Sequence, residues 1–265
     1  MTTEYGGRGD PQRSLELLWG TRKSPSRGPA PGLSVEQIVQ AAIEIADAEG
    51  LTALSMRRVA ERLAVGTMSL YTYIPGKAEL LDLMLDTIFG EETNPASIEG
   101  NWRARLELRA REDWALFQRH SWALQVSSVR AGLGPNETGL FDATLYVVSE
   151  IGLSAREMVA AVNLIAGYVR GAATGVMEVA LAAQQTGISD EQWWAAREPI
   201  LDTYFDPKRF PTATRVAIEG AFDPPADGTN YFLSNALYDF EFGLQRVLDG
   251  IEALILHRSE QAEQR

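Results

Sequence analysis

Apolar residues along this 265-residue chain recur at spacings of three and four, and no stretch alternates apolar and polar positions as a strand would. The pattern predicts an all-α protein. Ser34 stands as an N-cap with Gln37 three residues on, and Ile38, Ala41, Ala42, Ile45 and Ala46 give one apolar face to a helix that stops at Gly50. Met56, Val59, Ala60 and Leu63 mark a short second helix behind Ser55, with Arg57, Arg58 and Arg62 on its outward arc. Gly66 is expected to permit a sharp reversal into a third helix, too short to be stable alone, whose exposed tip is Thr67, Met68 and Ser69. Lys77 to about Phe89 forms a fourth, with Leu80, Leu81, Met84, Leu85 and Ile88 packed inward.

Beyond Asn94-Pro95 the periodicity predicts helices over 101–119, 136–151, Ser154 to about Gln184, Asp190 to about Tyr204, and 230–257, with a shorter piece at 121–130. Gly167, Gly171, Ala172, Ala173 and Gly175 on the long helix admit close approach of another helix. The apolar coverage of the last helix is too broad for one buried side. It asks for a second surface, supplied by a partner subunit or by the core of the same subunit. Residues 1–33, rich in Gly, Pro, Ser and Arg, read as a flexible extension in which Leu15, Leu17, Leu18 and Trp19 clamp onto the folded body. Arg22, Lys23 and Arg27 there either reach a minor groove or belong to a solvated linker.

Two short helices around one turn form a helix-turn-helix pattern, over residues 34–79 with their buttress. Hydroxyls and a thioether at the tip of its second helix can meet base edges in a major groove. Tyr71 and Tyr73 follow, and Lys77 places a cation beside the free amides that open the next helix. The same periodicity would also serve an ordinary three-helix packing with Tyr71 as a core ring.

Residues 34–85, and above all Leu70-Tyr71-x-Tyr73-Ile74-x-x-Lys77-x-x-Leu80-Leu81, resemble the N-terminal domain of the tetracycline-repressor family of bacterial transcription regulators. The resemblance implies Arg57, Thr67, Met68 and Ser69 as base readers, with Tyr71, Tyr73 and Lys77 holding the backbone of double-stranded operator DNA. In this chain the turn glycine stands two places from its usual position. Residues 80–265 would then be a larger helical domain for effector binding and dimerisation. Trp102, Trp114, Phe117, His120 and Trp122 fall on helices that surround an effector cavity in that family, as do Phe141, Tyr146, Asn163, Tyr168, Arg170 and Met177. As a set they suggest a flat or apolar small molecule held by a few polar contacts.

The stretch YDFEFGLQRVLDGIEALI resembles the family's last helix, which pairs with the long preceding one in a dimeric four-helix bundle. That implies a homodimer, with Val169, Ala173 and Val176 facing Phe240, Leu244, Val247, Leu248 and Ile251. Two histidines are too few to carry over the metal-bound tetracycline recognition of the type member, so no cofactor or metal is expected.

Composition changes this picture little. The chain has no cysteine, which excludes disulfides and thiolate chemistry and suits a reducing cytosol. Its apolar stretches are broken by charge or glycine before a bilayer span, and residues 1–20 lack a secretory layout, so a cytoplasmic, non-membrane protein is expected. A net charge of −12 opposes DNA binding by the chain as a whole, but residues 1–77 carry nine Lys/Arg against eight Asp/Glu. The acidic excess lies beyond them, leaving a local basic face and a modest salt dependence as expectations. No phosphate loop, nucleophile elbow or metal-spaced histidine pair supports an enzyme. His120 beside Ser121 reads as an interior or rim histidine, since helix neighbours point apart. The alternatives are a helical enzyme acting in the same cavity, or a protein-interaction module.

Overall fold

The computed structural model describes Glu4 and residues 10–21, 33–127, 132–223 and 231–263. Within them the chain forms α1 (Pro11–Leu18), α2 (Val35–Glu49), α3 (Met56–Arg62), α4 (Thr67–Tyr73), α5 (Lys77–Phe89) and α6 (Trp102–Arg119). There follow α7 (Pro135–Val147), α8 (Ala155–Thr186), α9 (Asp190–Tyr204), α10 (Pro211–Ile218) and α11 (Tyr231–Glu263). The one extended pairing among the described residues is a parallel bridge between Glu4 and Val126. Arg22, Lys23 and Arg27 lie outside the described residues.

Helix boundaries follow the capping chemistry. Ser34 and Gln37 exchange hydrogen bonds as a capping box at α2, Ser55 accepts from the Arg58 amide, and Ser154 and Glu157 reciprocate before α8. The piece expected over 121–130 is a 3-10 turn at Ser121–Gln125, and α11 runs six residues past its expected end at 257. Gly66 does not make the turn before α4. It sits at φ −71° as the N-cap, while Ala64 takes the left-handed conformation at φ 54° and the Val65 amide reaches back to the Ala60 carbonyl at 3.0 Å.

The chain divides into two compact units, residues 1–170 with 247–265, and residues 171–246; residues 34–79 share a unit with α6 and α7. In the first, α2 packs on α5, α3 on α4, and α5 on α7 and α1. Ile38, Val59, Leu70, Ile74, Leu80, Met84, Ile88, Leu106, Leu116 and Trp122 fill its interior. Leu17 and Leu18 are buried, and the Trp19 indole donates to the Leu133 carbonyl at 3.0 Å, so the N-terminal clamp forms, although Leu15 stays exposed.

The second unit contains α9 and α10 with the flanking parts of α8 and α11. It carries two aromatic pairs, Trp193 stacked on Trp194 and Phe205 on Phe210, with ring centroids 5.9 and 5.4 Å apart. Residues Ala155–Ala182 of α8 are long and apolar enough to cross a membrane by length and composition, which corrects the expectation that no stretch would be.

Candidate nucleic-acid interface and its ties to the helical body

Leu70 and Ile74 are fully buried and anchor α4, which fixes the opposite face outward. Met68 is 78% exposed and Tyr71 42% exposed. Thr67, Ser69 and Tyr73 are half-buried, so Met68 and Tyr71 are the most exposed of the expected contacts on this helix. Lys77, also half-buried, opens α5 behind Gly76, which offers no capping side chain. Arg57 sits on the outer face of α3.

The local basic face expected from the sequence is not what folds. Arg57 pairs with Glu61 at 2.9 Å, Arg58 with Glu49 and Arg62 with Glu44 at 2.8 Å, and Lys77 with Glu4 at 3.2 Å. Each cation of residues 34–77 therefore already has a carboxylate beside it. Much of the basic excess counted over residues 1–77 came from Arg8, Arg13, Arg22, Lys23 and Arg27, upstream of this unit.

Two polar ties hold later helices and turns against α2 and α5. In the first, His120 Nδ1 and the Trp122 indole both lie 2.8 Å from Asp47 Oδ1 on α2, and His120 Nε2 lies 3.2 Å from Glu91 just past α5. The turn carrying these rings is gripped by Arg170 of α8, whose guanidinium donates to the carbonyls of Leu124 at 2.9 Å and Val126 at 2.6 Å. In the second, Asp86 of α5 accepts from the Asn136 and Glu137 amides at 3.0 and 2.9 Å, capping α7 in place of its own N-cap, Gly134. Burial raises the Asp86 carboxyl against the opposing pull of those amides.

The expected effector residues do not gather into one cavity. Trp114 and Phe117 are buried on α6, with Arg170 over the Phe117 ring at 5.8 Å, while Trp122 and His120 use their nitrogens in the Asp47 tie. Trp102 and Tyr168 are half-buried, and Phe141, Tyr146 and Asn163 face outward. Met177 is buried but belongs to the other compact unit. A cavity of about 190 Å³ opens instead against Phe89, Glu92, Asn94, Pro135, Asn136 and Leu140. It is smaller than the several hundred cubic ångströms, roughly, of a ligand site. Next to it Glu92 and Asp113 both contact Arg109, Asp113 at 2.6 Å. Burial, then the Asp113 charge, pushes Glu92 up to about 9. Sequence reading missed this group because Glu92 lies 17 residues before Arg109 and 21 before Asp113, outside α6, which carries both.

The expected dimer residues are also largely consumed inside one chain. Val169, Ala173, Phe240, Leu244, Leu248 and Ile251 are buried, with Val176 and Val247 half-buried. On α11 the buried stripe of Phe240, Leu244, Leu248 and Ile251 is already covered within this one chain. Leu233, Leu237, Tyr238, Phe242, Leu254 and Leu256 are the large apolar residues that α11 leaves exposed.

Known proteins match along nearly all of this framework. Residues 38–84 match the family described as bacterial regulatory proteins, tetR family, and residues 94–255 the tetracyclin repressor-like C-terminal domain. The HTH-type transcriptional repressor DrrR1 of Streptomyces coeruleorubidus is 46% identical over 97% of this chain and 91% of its own. Two solved structures of the Streptomyces coelicolor protein ActR, in complex with actinorhodin and with (S)-DNPA, are 26% and 27% identical, with TM-scores of 0.67 and 0.66. Each covers 84% of this chain, with 97% and 99% of the ActR chain matched.

Proposed function

The chain belongs to the tetR family of bacterial regulatory proteins, and from that we propose that it is a ligand-responsive, DNA-binding transcriptional repressor that grips a near-palindromic operator as a homodimer. Two copies of α4 enter successive major grooves about one helical turn, roughly 35 Å, apart. Thr67, Met68 and Ser69 read base edges with Arg57 beside them, and Tyr71, Tyr73 and Lys77 hold phosphates. Such a regulator acts where the chromosome is, in the cytoplasm.

The observation that carries this reading is the presentation of α4: a seven-residue helix pinned by Leu70 and Ile74 that turns Met68 and Tyr71 to solvent. A second copy covers the apolar side chains that α11 leaves exposed, Leu237, Tyr238 and Phe242 among them. A small, largely apolar effector enters among the body helices, near the aromatic walls of α6, and shifts the turn that Arg170, His120 and Trp122 hold. The two polar ties then re-aim α2 and α5, and the dimer settles in a state that fits DNA poorly.

Effector and operator binding are thereby linked, and each must weaken the other by the same factor. The test is a mobility shift of the full chain with the DNA upstream of its own gene, alongside sedimentation without DNA. A dimer that shifts this duplex and ignores an unrelated one is expected. A monomer with no duplex preference would overturn the reading.

A further inference from the structure

Lys77 is met by a carboxylate from 73 residues away. The Glu4 amide donates to the Gln125 carbonyl at 3.0 Å, and its own carbonyl accepts from the Ser127 amide at 2.8 Å, so its backbone is fixed on both sides. Its side chain then lies with Oε1 3.2 Å from Lys77 Nζ. The segment that receives Glu4 is itself held by Arg170 at the Val126 carbonyl. A carboxylate at this spot occupies the same lysine that a DNA phosphate would.

From this geometry we propose that Glu4 competes with operator phosphate for Lys77, so that this one carboxylate is an intramolecular antagonist of DNA binding. The proposal rests on the reading of Lys77 as a phosphate contact. Arg57, Arg58 and Arg62 pair with Glu61, Glu49 and Glu44, all within residues 34–77. Glu4 comes from outside residues 34–77, so loss of its pairing makes Lys77 available without any change in α3 or α4. Exposed ion pairs shift an equilibrium by about 1.4-fold to 5-fold each, so a dimer with two should gain about 2-fold to 25-fold in affinity on losing them.

The experiment is an anisotropy titration of the full chain with a duplex recovered by selection on the wild-type protein. Wild type, Glu4→Gln, Lys77→Met and the double variant are compared, with thermal melting confirming that each is folded. Glu4→Gln should bind about 2-fold to 25-fold more tightly, and that gain should vanish in the Lys77→Met background. A weakened Lys77→Met with no gain from Glu4→Gln overturns the proposal alone. A gain that persists without Lys77 reports general charge repulsion and also overturns it. Unchanged binding by Lys77→Met overturns the reading of Lys77 itself, and the proposal with it.

Discussion

His120 Nδ1 lies 2.8 Å from Asp47 Oδ1, and the Trp122 indole donates to the same oxygen, so one carboxylate of α2 holds the turn after α6. Trp122 is fully buried and has this acceptor for its N–H. Asp47→Ala leaves that donor unsatisfied, at about 1–3 kcal/mol. The midpoint of chemical denaturation should fall accordingly, and an unchanged midpoint would show that the tie is incidental.

Ala64 holds a left-handed conformation at φ 54°, exposed at the end of α3. A Cβ there costs about 1 kcal/mol and contributes no packing. Ala64→Gly should therefore raise the unfolding free energy by about 1 kcal/mol, measured by denaturant titration, even though glycine usually destabilises. A loss of stability would contradict the strain.

Gly134 is close to Asp86 in a different way. A Cβ added at Gly134 would fall 2.2 Å from Asp86 Oδ1, the oxygen that caps α7. Gly134→Ala must push α5 and α7 apart or break the cap, at about 1–3 kcal/mol. Its thermal midpoint should drop, whereas Gly139→Ala, inside α7 where a Cβ meets nothing within 4 Å, should leave the midpoint unchanged or raise it.

The pH dependence follows from Glu92 and Asp113, both raised first by burial. A carboxyl raised in the folded state favours folding while it is protonated. That contribution is complete below the ordinary value of 4.5 and is lost as pH climbs toward about 9 for Glu92. Unfolding free energy should fall from about pH 6 to about pH 9, and Glu92→Gln should flatten the fall. A rise across that window would contradict the buried, uncharged state.

The helices were legible because each is written locally. Ser34 with Gln37, Ser55 and Ser154 signal their own starts, and the three-and-four spacing of Leu80, Leu81, Met84 and Ile88 signals a buried face. The Leu70-Tyr71-x-Tyr73 run gave the rim of α4 for the same reason. What was hidden depends on pairing across the fold. Asp47 with Trp122, Asp86 with Asn136 and Glu4 with Lys77 are separated by 50 to 75 residues, and no local spacing marks them. The apolar stripe of α11 was visible as a stripe, but its division between core and open surface was not.

Selection of the full chain on random duplexes tests the central claim most directly. Wild type should enrich two half-sites of opposite orientation, about 10 base pairs from centre to centre, and Thr67→Ala with Ser69→Ala should change the preferred bases. Recovery of no motif, or of an unchanged motif from the doubly substituted chain, would contradict the assignment of α4 as the reading helix.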